Sequence, residues 1–569
     1  MSPLRTPSRA VGTVAVLVLL SPIVLKCGGS APIGILDAGA PDVGLADTTV
    51  GWDAQPQADG GSDAAAEAAP AADAGPCPIY QSFCGGTCIP TTVDPKNCGG
   101  CGVVCPPTEA CAGGACSATC LPPSVKCGQY CVDTTTDNNN CGACGTVCPS
   151  GQACIGGQCA GGAISLGPAP SKCAGGGPPI VIGSNTCLGN LAQTTFPWAL
   201  ASCTDVSFNG GLFTDAFDSS KGPYAPGGLG GGVGLDGNYS TTSKTQIWGT
   251  LWSSASGGLT NGANMIVKQD LHVGGPLTTT SQLTVGDDAW LAGNVSASGG
   301  LSVGKTLHLS AGNTMSGTVT YGTLVNNVPV TVPPAVDCSK LPPIAAWVAA
   351  QKTSNDNALI GLDPNALAAP LGHPARLDLP CGIYYLTSIN NGGDPVVIVA
   401  HGHTALFIDG DLTAGDPTTF TLDPTATFDV FLSGVVKPWS GAAFNLGSPN
   451  YPALCRLYAG GSADTVLTGG SIGGDFYAGS SAIKASSTWI VYGALFAGSF
   501  YNSSETTIHY DRATLVDGAQ CGPPPGTCSS CVDCGNQACV NGTCGSCTSS
   551  AECCQPLVCQ GGTCVIPVQ

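Results

Sequence analysis

The stretch LHVGGPLTTTSQLTVGDDAWLAGNVSASGGLSVGKTLHL, residues 271–309, carries two sets of positions that each recur every six residues, the second set lying two residues after the first. All of these positions except Thr279 are apolar. Residues i and i+2 of a strand face the same side, so one short strand and a turn every six residues predict a parallel β-helix with three strands per coil. The positions are Leu271, Leu277, Leu283, Ala289, Val295, Leu301 and Leu307, and Val273, Thr279, Val285, Leu291, Ala297, Val303 and Leu309.

This period makes a definite prediction about register. Three hexads per coil place Leu283 over Leu301 and Leu271 over Ala289. Glycines fall between the strands, at corners where a positive φ or a tight bend is expected; they are Gly274, Gly286, Gly299 and Gly304. An antiparallel meander with regular turns is the alternative, but the strict phase favours the solenoid.

The rest of the chain predicts a mostly β protein with small modules around the solenoid. We assign residues 160–240 to a glycine-rich region that leads into the solenoid domain, and residues 241–520 to that domain. A helix is predicted within it near residues 342–352, after Pro342 and Pro343.

Cysteine spacing defines two repeats over residues 77–159, in which every cysteine recurs 43 residues later. Units of this size need covalent cross-links, and eight cysteines allow 105 pairings. The CxxC pairs could alternatively bind zinc or carry out redox chemistry. We favour structural disulfides, because neither a second zinc knuckle across a longer gap nor a βαβ context is visible in the sequence. The cysteines are Cys77, Cys84, Cys88, Cys98, Cys101, Cys105, Cys111 and Cys116, then Cys120, Cys127, Cys131, Cys141, Cys144, Cys148, Cys154 and Cys159.

A second cysteine-rich segment closes the sequence, over residues 521–569. Its spacing resembles part of a knottin framework, which implies a small disulfide-stapled module. We predict disulfides here without a pairing, at Cys528, Cys531, Cys534, Cys539, Cys544, Cys547, Cys553, Cys554, Cys559 and Cys564.

The first 76 residues indicate export. Residues 1–27 combine Arg5 and Arg9 with an apolar run, as a signal peptide does, and 34 cysteines in all indicate an oxidising compartment. The run ends in Val24-Leu25-Lys26-Cys27, which resembles a bacterial lipobox and implies lipidation of Cys27, although Lys26 departs from the pattern. An ordinary signal peptide cut a few residues later is the alternative. Residues 28–76 are acidic and rich in Ala, Gly and Pro, which predicts a disordered linker.

Three further resemblances concern the folded regions. The cysteine repeats resemble those of myxobacterial exported lipoproteins, and the hexads resemble bactofilin-type polymer-forming domains in their period. Residues 241–515 resemble an uncharacterised β-solenoid domain of adhesin-like and pilus-associated exported proteins, on Tyr492-Gly493-Ala494-Leu495 and His509-Tyr510-Asp511. These resemblances imply the fold and an exported context, and they assign no biochemical activity.

Few residues suggest chemistry. The formal net charge of −19 argues against nucleic acid as a partner. His401-Gly402-His403 is the one His-x-His and a candidate metal site, though a polar strand edge is favoured. Asp409 and Asp411 are the one pair of carboxylates separated by a single residue. His509 is expected to serve packing. We predict no catalytic residue, no metal and no cofactor.

These observations predict a non-catalytic cell-surface lipoprotein with a structural, adhesive or ligand-display role. It would be held at the outer membrane by its lipid, or be extracellular if Cys27 is not lipidated, and a surface polysaccharide or a protein would be its ligand. One alternative is a carbohydrate-active β-helix enzyme that uses Asp409 or Asp411, which a strip of charged residues would favour. The other is an inhibitor-like binding module, which an exposed aromatic on a cysteine module would favour.

Overall fold

The computed structural model confirms a mostly β protein built on a parallel β-solenoid. It describes residues 77, 80–182, 186–390, 392–413, 416–437 and 442–516, and in the tail 538–540, 543–545, 547, 549, 558–560 and 563–565. Leu271 pairs with Ala289 and Leu283 with Leu301 in parallel register. The predicted register is therefore confirmed. The predicted signal peptide, Cys27 and the acidic linker lie outside the described residues.

The corner glycines have a different cause from the one expected. None of the four has a positive φ. A Cβ at Gly274 would instead overlap the carbonyl oxygen of Ser254 in the preceding coil, and one at Gly286 would overlap that of Lys268. These corners require glycine because successive coils approach each other too closely for a side chain.

The coils do not follow one another in chain order. The first coil consists of strands Leu200–Ser202, Val206–Phe208 and Leu212–Phe217. It pairs on one side with the strands that follow it, and on the other with Leu495–Asn502 and Thr506–Asp511, the last strands of the solenoid. The solenoid therefore begins in its own middle, and the boundary predicted at residue 241 is too late.

The N-terminal stack extends from the first coil to Val325. It contains the predicted hexads, and its strands are mostly three residues long. They are Val233–Leu235, Tyr239–Thr241, Thr245–Ile247, Leu251–Ser253, Leu259–Asn261, Met265–Val267, Leu271–Val273, Leu277–Thr279, Leu283–Val285, Ala289–Leu291, Val295–Leu309 and Met315–Val325.

Residues 326–374, which we call the return segment, lead back outside the coils to the start of the C-terminal stack. That stack has longer strands and reaches the first coil from the opposite side. Its strands are Ala375–Leu379, Gly382–Leu386, Val396–Ala400, His403–Ile408, Thr418–Leu422, Thr427–Leu432, Phe444–Gly447, Cys455–Ala459, Thr465–Leu467, Gly470–Gly473, Asp475–Ala485, Trp489–Tyr492, Leu495–Asn502 and Thr506–Asp511.

Helices are short and lie outside the coils. Helix α1 spans Leu188–Thr195, α2 spans Ile344–Gln351 at the predicted place, and α3 spans Asn357–Ile360. Short strands Val181–Ile182 and Thr186–Cys187 precede α1. The 3-10 turns are Ser171–Gly176, Cys338–Lys340, Pro452–Leu454 and Arg512–Leu515. Within the described residues, no helix combines the length and apolar character needed to cross a membrane.

One hydrophobic core fills both stacks. Thr279, the one polar residue in the hexad pattern, points into this core and is fully buried. Its hydroxyl accepts a hydrogen bond from Asn261 Nδ2 of the previous coil (3.0 Å). An inward polar side chain is tolerated here because the coil above supplies its partner.

The two cysteine repeats have the same disulfide connectivity. In each repeat the first cysteine pairs with the third, the second with the fifth, the fourth with the seventh and the sixth with the eighth. The bonds are Cys77–Cys88, Cys84–Cys101, Cys98–Cys111, Cys105–Cys116, Cys120–Cys131, Cys127–Cys144, Cys141–Cys154 and Cys148–Cys159. Their strands are Gln81–Cys84, Thr87–Pro90, Ala110–Ala112, Ala115–Ser117, Val125–Cys127, Tyr130–Val132, Gln152–Ile155 and Gln158–Gly161.

Both repeats are anchored to the solenoid by hydrogen bonds. Tyr80 Oη and Ser219 Oγ are 2.7 Å apart beside the first coil. Arg376 of the solenoid strand Ala375–Leu379 donates to two carbonyl oxygens of the second repeat, those of Thr136 and Cys154. The repeats and the solenoid therefore touch at specific polar contacts.

Other cysteines staple the solenoid itself. Cys203 in the first coil bonds to Cys338 of the return segment, and Cys173 bonds to Cys381. Among the described residues, Cys455 is a free thiol; it is buried. In the tail, Cys547 bonds to Cys559. Strands there are Ala538–Val540, Thr543–Gly545, Val558–Gln560 and Thr563–Val565; the other predicted tail disulfides lie outside the described side chains.

Candidate binding surface

A single row of outward positions crosses almost the entire solenoid. Each coil contributes one residue to this row, from the strand on the same side of the solenoid. Most of these residues are aromatic. The register runs Tyr385, Phe407, Phe431, Tyr458, Tyr477, Phe496, Ala201, Gly234, Trp252, His272, Trp290, His308 and Val325.

In the N-terminal stack four consecutive members stack face to face. The ring centroids of Trp252 and His272 are 3.9 Å apart, those of His272 and Trp290 are 4.3 Å apart, and those of Trp290 and His308 are 5.0 Å apart. The last two pairs are parallel to within 2°. We call Trp252, His272, Trp290 and His308 the aromatic strip.

The same row is covered in the C-terminal stack. Phe431 stacks on Phe407 at 4.7 Å and on Tyr458 at 4.9 Å, and all three rings are fully buried. Helix α2 lies over them, with Trp347 meeting Phe431 edge-on at 6.1 Å. This half of the row is therefore part of the protein's own packing.

The row has small residues where the two stacks meet, at Ala201 and Gly234. The indole of Trp198 fills the space beside Gly234, where even a Cβ would collide with the ring. Trp198 Nε1 donates to the carbonyl oxygen of Ala335 (3.3 Å) in the return segment. A tryptophan from outside the row thus continues it across the junction.

Among the described residues, no helix lies over the aromatic strip. The return segment runs along one margin, where Trp252 Nε1 donates to Pro333 O at 2.7 Å. Trp252, Trp290 and His308 remain partly exposed, whereas His272 is only 5% exposed between its neighbours. Both faces of His272 and Trp290 are used in stacking, so these two rings can present only their edges to solvent.

The imidazole of His272 in the strip is neutral at neutral pH. Burial, and to a smaller extent His308, lowers the pKa of His272 to about 4. The nearby corner carries Asp287, which is neutralised by Lys305 at 2.7 Å. Asp270 at the same corner is buried and accepts from the backbone N–H of Asp288 (3.1 Å). The aromatic edges themselves form a neutral surface.

The histidines of the His-x-His motif do not form a common site. His401 contacts two carboxylates, with Nδ1 2.8 Å from Asp423 Oδ2 and Nε2 3.0 Å from Asp378 Oδ1. His403 Nδ1 lies 2.9 Å from Thr427 Oγ1. The structure thus gives the two histidines different partners, two carboxylates for His401 and a hydroxyl for His403. The hydrogen bonds to the two carboxylates raise the pKa of His401 to about 9.

The carboxylate pair of the enzyme alternative has structural partners. Asp409 accepts from Tyr385 Oη (3.1 Å) and Ser433 Oγ (3.0 Å). Asp411 accepts from the Val435 N–H and forms an ion pair with Lys437, both near 2.9 Å. Burial raises the pKa of Asp411, but the contacts with Lys437 and Val435 outweigh it, so the net pKa is lowered. A general acid requires the opposite shift.

The closing motif joins the last coil to the first. His509 Nδ1 lies 2.7 Å from Asp215 Oδ1, and Tyr510 Oη donates to Phe196 O at 2.7 Å. Asp511 accepts from the backbone N–H of Ser219 (2.9 Å). His509 therefore has a packing and hydrogen-bonding role in the structure.

The cysteine repeats present exposed aromatic side chains. Phe83 in the first repeat is 54% exposed, and Tyr130 in the second is 53% exposed. Exposed valines accompany them, including Val104 and its equivalent Val147. Such side chains are the feature that favours a binding role for a cysteine module.

The structure also places a small cavity, of about 50 Å³, between the repeats and the solenoid near Asn450. A cavity of this size holds a water molecule or two rather than a ligand. The cysteine groups that could geometrically hold a metal consist of residues already paired in disulfides, such as Cys98 and Cys105. Neither feature competes with the aromatic strip as a ligand site.

The sequence contained a signal for the strip that the hexad analysis passed over. His272, Trp290 and His308 are each 18 residues apart and are the middle residues of their strands. The six-residue period predicted only the inward residues of each strand. The outward residue between each inward pair recurs at the same place in successive coils and forms the strip.

Comparison with known proteins supports the modular description. Residues 336–515 match a family described as a domain of unknown function, DUF7305. Residues 70–119 match the stigma-specific STIG1-like protein family. The first match begins well after residue 241, where the sequence resemblance was expected to start. No curated protein matches the chain.

One solved structure is similar over 58% of this chain and 99% of its own: an ice binding protein from an Antarctic bacterium, Flavobacteriaceae. The identity is 11% and the TM-score 0.14, values that support no argument about fold or function. A β-solenoid scaffold with a cysteine-rich STIG1-like module fits a binding or display role, and the many disulfides are typical of an extracellular or secreted protein.

Proposed function

We propose that this protein is a non-catalytic surface protein that displays a binding surface on a rigid solenoid. The observation that carries the proposal is the aromatic strip, a linear and partly exposed feature on an otherwise closed scaffold. Stacked coils share a continuous core and disulfides tie the return segment to them, so the surface is held in fixed geometry. Binding surfaces gain affinity from such preorganisation.

Export and lipid anchoring are part of the proposal. Residues 1–27 have the organisation of a signal peptide ending at Cys27, and residues 28–76 would act as a linker between membrane and folded modules. The disulfides require an oxidising compartment. Lipidation of Cys27 at the outer membrane would leave the cysteine repeats and the solenoid facing outward.

Localisation tests this part directly. We expect the wild-type protein to fractionate with the outer membrane and to be cleaved when intact cells are treated with protease. Cys27→Ala should move the folded protein to the soluble fraction. A mature N-terminus beyond Cys27, or membrane retention of Cys27→Ala, would contradict the anchor.

The absence of catalysis is tested separately. The structural roles of Asp409 and Asp411 support it, because both carboxylates are occupied by hydrogen bonds that hold the coils. Incubation of the purified protein with polysaccharides should produce no new reducing ends. Production of such ends, abolished by Asp409→Asn or Asp411→Asn, would establish the enzyme alternative instead.

A second candidate is binding through the cysteine repeats, favoured by the exposure of Phe83 and Tyr130. Beads coated with the protein would then adhere to cells of the producing organism through these side chains. The double variant Phe83→Ala/Tyr130→Ala should lower adhesion, with Thr108→Ala as a surface control in the same repeat. Unchanged adhesion of the double variant would remove this candidate.

A further inference from the structure

We propose that the aromatic strip binds a neutral polysaccharide chain that lies along the solenoid axis. The inference rests on the proposed binding function and names its ligand class. Three properties of the strip support it: its period, the chemistry of its edges and its charge.

The period indicates a polymer. The strip offers one ring per coil, in register, with centroid separations of 3.9, 4.3 and 5.0 Å. A compact ligand would meet only one or two of these rings, whereas a chain with a similar repeat along its axis meets all of them. Each unit then makes an equivalent contact, and weak contacts add along the chain.

The edges indicate oxygen atoms as the ligand's contacting groups. The edge of an aromatic ring is the positive part of its quadrupole, and both faces of His272 and Trp290 are already occupied by stacking. Trp290 adds an indole N–H, and no partner for it is present among the described residues. Hydroxyl and ring oxygens of a sugar accept from such edges, and hydroxyls also donate to an imidazole nitrogen.

The side chains of the row change from phenylalanine and tyrosine to tryptophan and histidine, and this change supports a ligand that carries oxygen atoms. Where α2 covers the row, the rings are Phe407, Phe431 and Tyr458; in the uncovered half they are tryptophan and histidine. An apolar helix on the strip would bury the Trp290 N–H and the His308 ring nitrogens without partners, which is costly. A hydroxyl-rich ligand satisfies them.

Charge selects a neutral chain. His272 is uncharged at neutral pH, the adjacent Lys305 is already paired with Asp287, and the whole protein carries −19. An acidic polysaccharide would be repelled by this net charge and would find no free cation on the strip. Neutral glycans meet neither obstacle.

The test is affinity electrophoresis of the full chain in native gels that contain a soluble polysaccharide. The neutral set is β-1,4-glucan, β-1,3-glucan, mannan and dextran derivatives, and alginate is the acidic comparison. We expect retardation by at least one neutral polymer and none by alginate. Oligosaccharides of the retarding polymer should compete better as their length increases to four units, one for each ring.

Variants locate the site. Trp290→Ala and His308→Ala should each weaken binding about tenfold, the size expected for a central aromatic contact. Trp290→Phe keeps an aromatic ring in the stack but removes the N–H and part of the indole's area, so it should fold normally and weaken binding by a smaller factor than Trp290→Ala. Thr284→Ala, an outward residue of another side at the same level, is the matched control and should bind as the wild type does.

Several results would overturn the inference. They are retardation by no neutral polymer, binding unchanged in both Trp290→Phe and Trp290→Ala, or concentration-dependent dimerisation lost in Trp290→Ala, which would make a second copy the occupant. The localisation and protease results are independent of these gels. Failure of polysaccharide binding with surface exposure intact would therefore reject the ligand and leave the display function standing.

Discussion

His509 and Asp215 are 294 residues apart in sequence, and their side chains form a hydrogen bond of 2.7 Å. Asp215 also accepts from Tyr224 Oη at 2.8 Å and from the Gly227 N–H at 2.9 Å. Because Asp215 is fully buried, this carboxylate holds three donors together at the junction between the first and last coils. The closure of the solenoid depends on it.

Loss of this carboxylate should destabilise the junction. Asp215→Ala leaves the three donors unsatisfied, and removing one partner of a buried polar pair costs about 3–5 kcal/mol. The measurement is the free energy of unfolding in urea. Asp464→Ala is the control, because Asp464 pairs with Lys484 at an exposed site and its loss should cost under about 1 kcal/mol. Equal losses for the two variants would contradict the role of Asp215.

Asp511 should make stability depend on pH. Burial raises its pKa from 3.8 to about 6, although hydrogen bonds from Ser219 and Ala513 oppose the shift. Between these two values the unfolded chain loses a proton that the folded protein keeps, so stability falls as pH rises from about 4 to 6 and is then constant. The full effect is about 3 kcal/mol.

Asp511→Asn isolates this effect, because the buried Asp475, whose pKa is also raised by burial, remains in both proteins. Urea unfolding at pH 4, 5, 6 and 7 should give a shallower pH dependence for the variant than for the wild type. Parallel curves for the two proteins would show that Asp511 titrates in the folded state as it does in the unfolded chain.

His401 should titrate far above an ordinary histidine. Hydrogen bonds that the ring donates to Asp378 and Asp423 raise its pKa to about 9, against the effect of burial. Its contribution to stability is therefore complete below about pH 6.5 and is lost as pH rises through 9. NMR titration of the ring should give the pKa directly.

Asp423→Asn provides the matched change, because it removes one carboxylate and leaves Asp378 in place. The pKa of His401 should fall in this variant. A wild-type pKa near 6.5 would contradict the ion pairs at His401.

Core and surface positions of one hexad should differ sharply. Leu283 is fully buried beneath Leu301, so Leu283→Ala should cost about 2–5 kcal/mol through lost contacts and a cavity. Its neighbour Thr284 faces outward, and Thr284→Ala should change stability by less than about 0.5 kcal/mol. Unfolding in urea measures both. Similar costs at the two positions would contradict the inward orientation of Leu283.

Sequence reasoning found the register of the N-terminal stack because its period is local and regular. Leu271 and Ala289 are one coil apart, and every intervening hexad repeats the pattern. In the C-terminal stack the successive ring positions Phe407, Phe431, Tyr458 and Tyr477 have unequal spacings, since loops of different length interrupt the coils. No single period marks them, so the row could not be traced there.

The position of the first coil was beyond sequence reasoning for another physical reason. Its partners on one side, such as Leu495 and Thr506, lie near the end of the solenoid. Hydrophobic patterning shows which residue faces inward but not which strand lies beside it. The glycine content of residues 160–240 placed this region before the solenoid, whereas several of its glycines, including Gly231 and Gly232, accommodate neighbouring backbone or the Trp198 ring within the coils.

The central position of the first coil has a consequence for biogenesis. Because the chain is synthesised from its N-terminus, Leu200–Phe217 is made early and Leu495–Asp511 late. Until the late strands arrive, one side of the first coil is an open row of backbone N–H and C=O groups, the kind of edge that recruits strands from other chains. The solenoid is therefore complete only when its final coil has formed, and a chain interrupted before residue 495 would keep an open edge that can pair with strands of other chains.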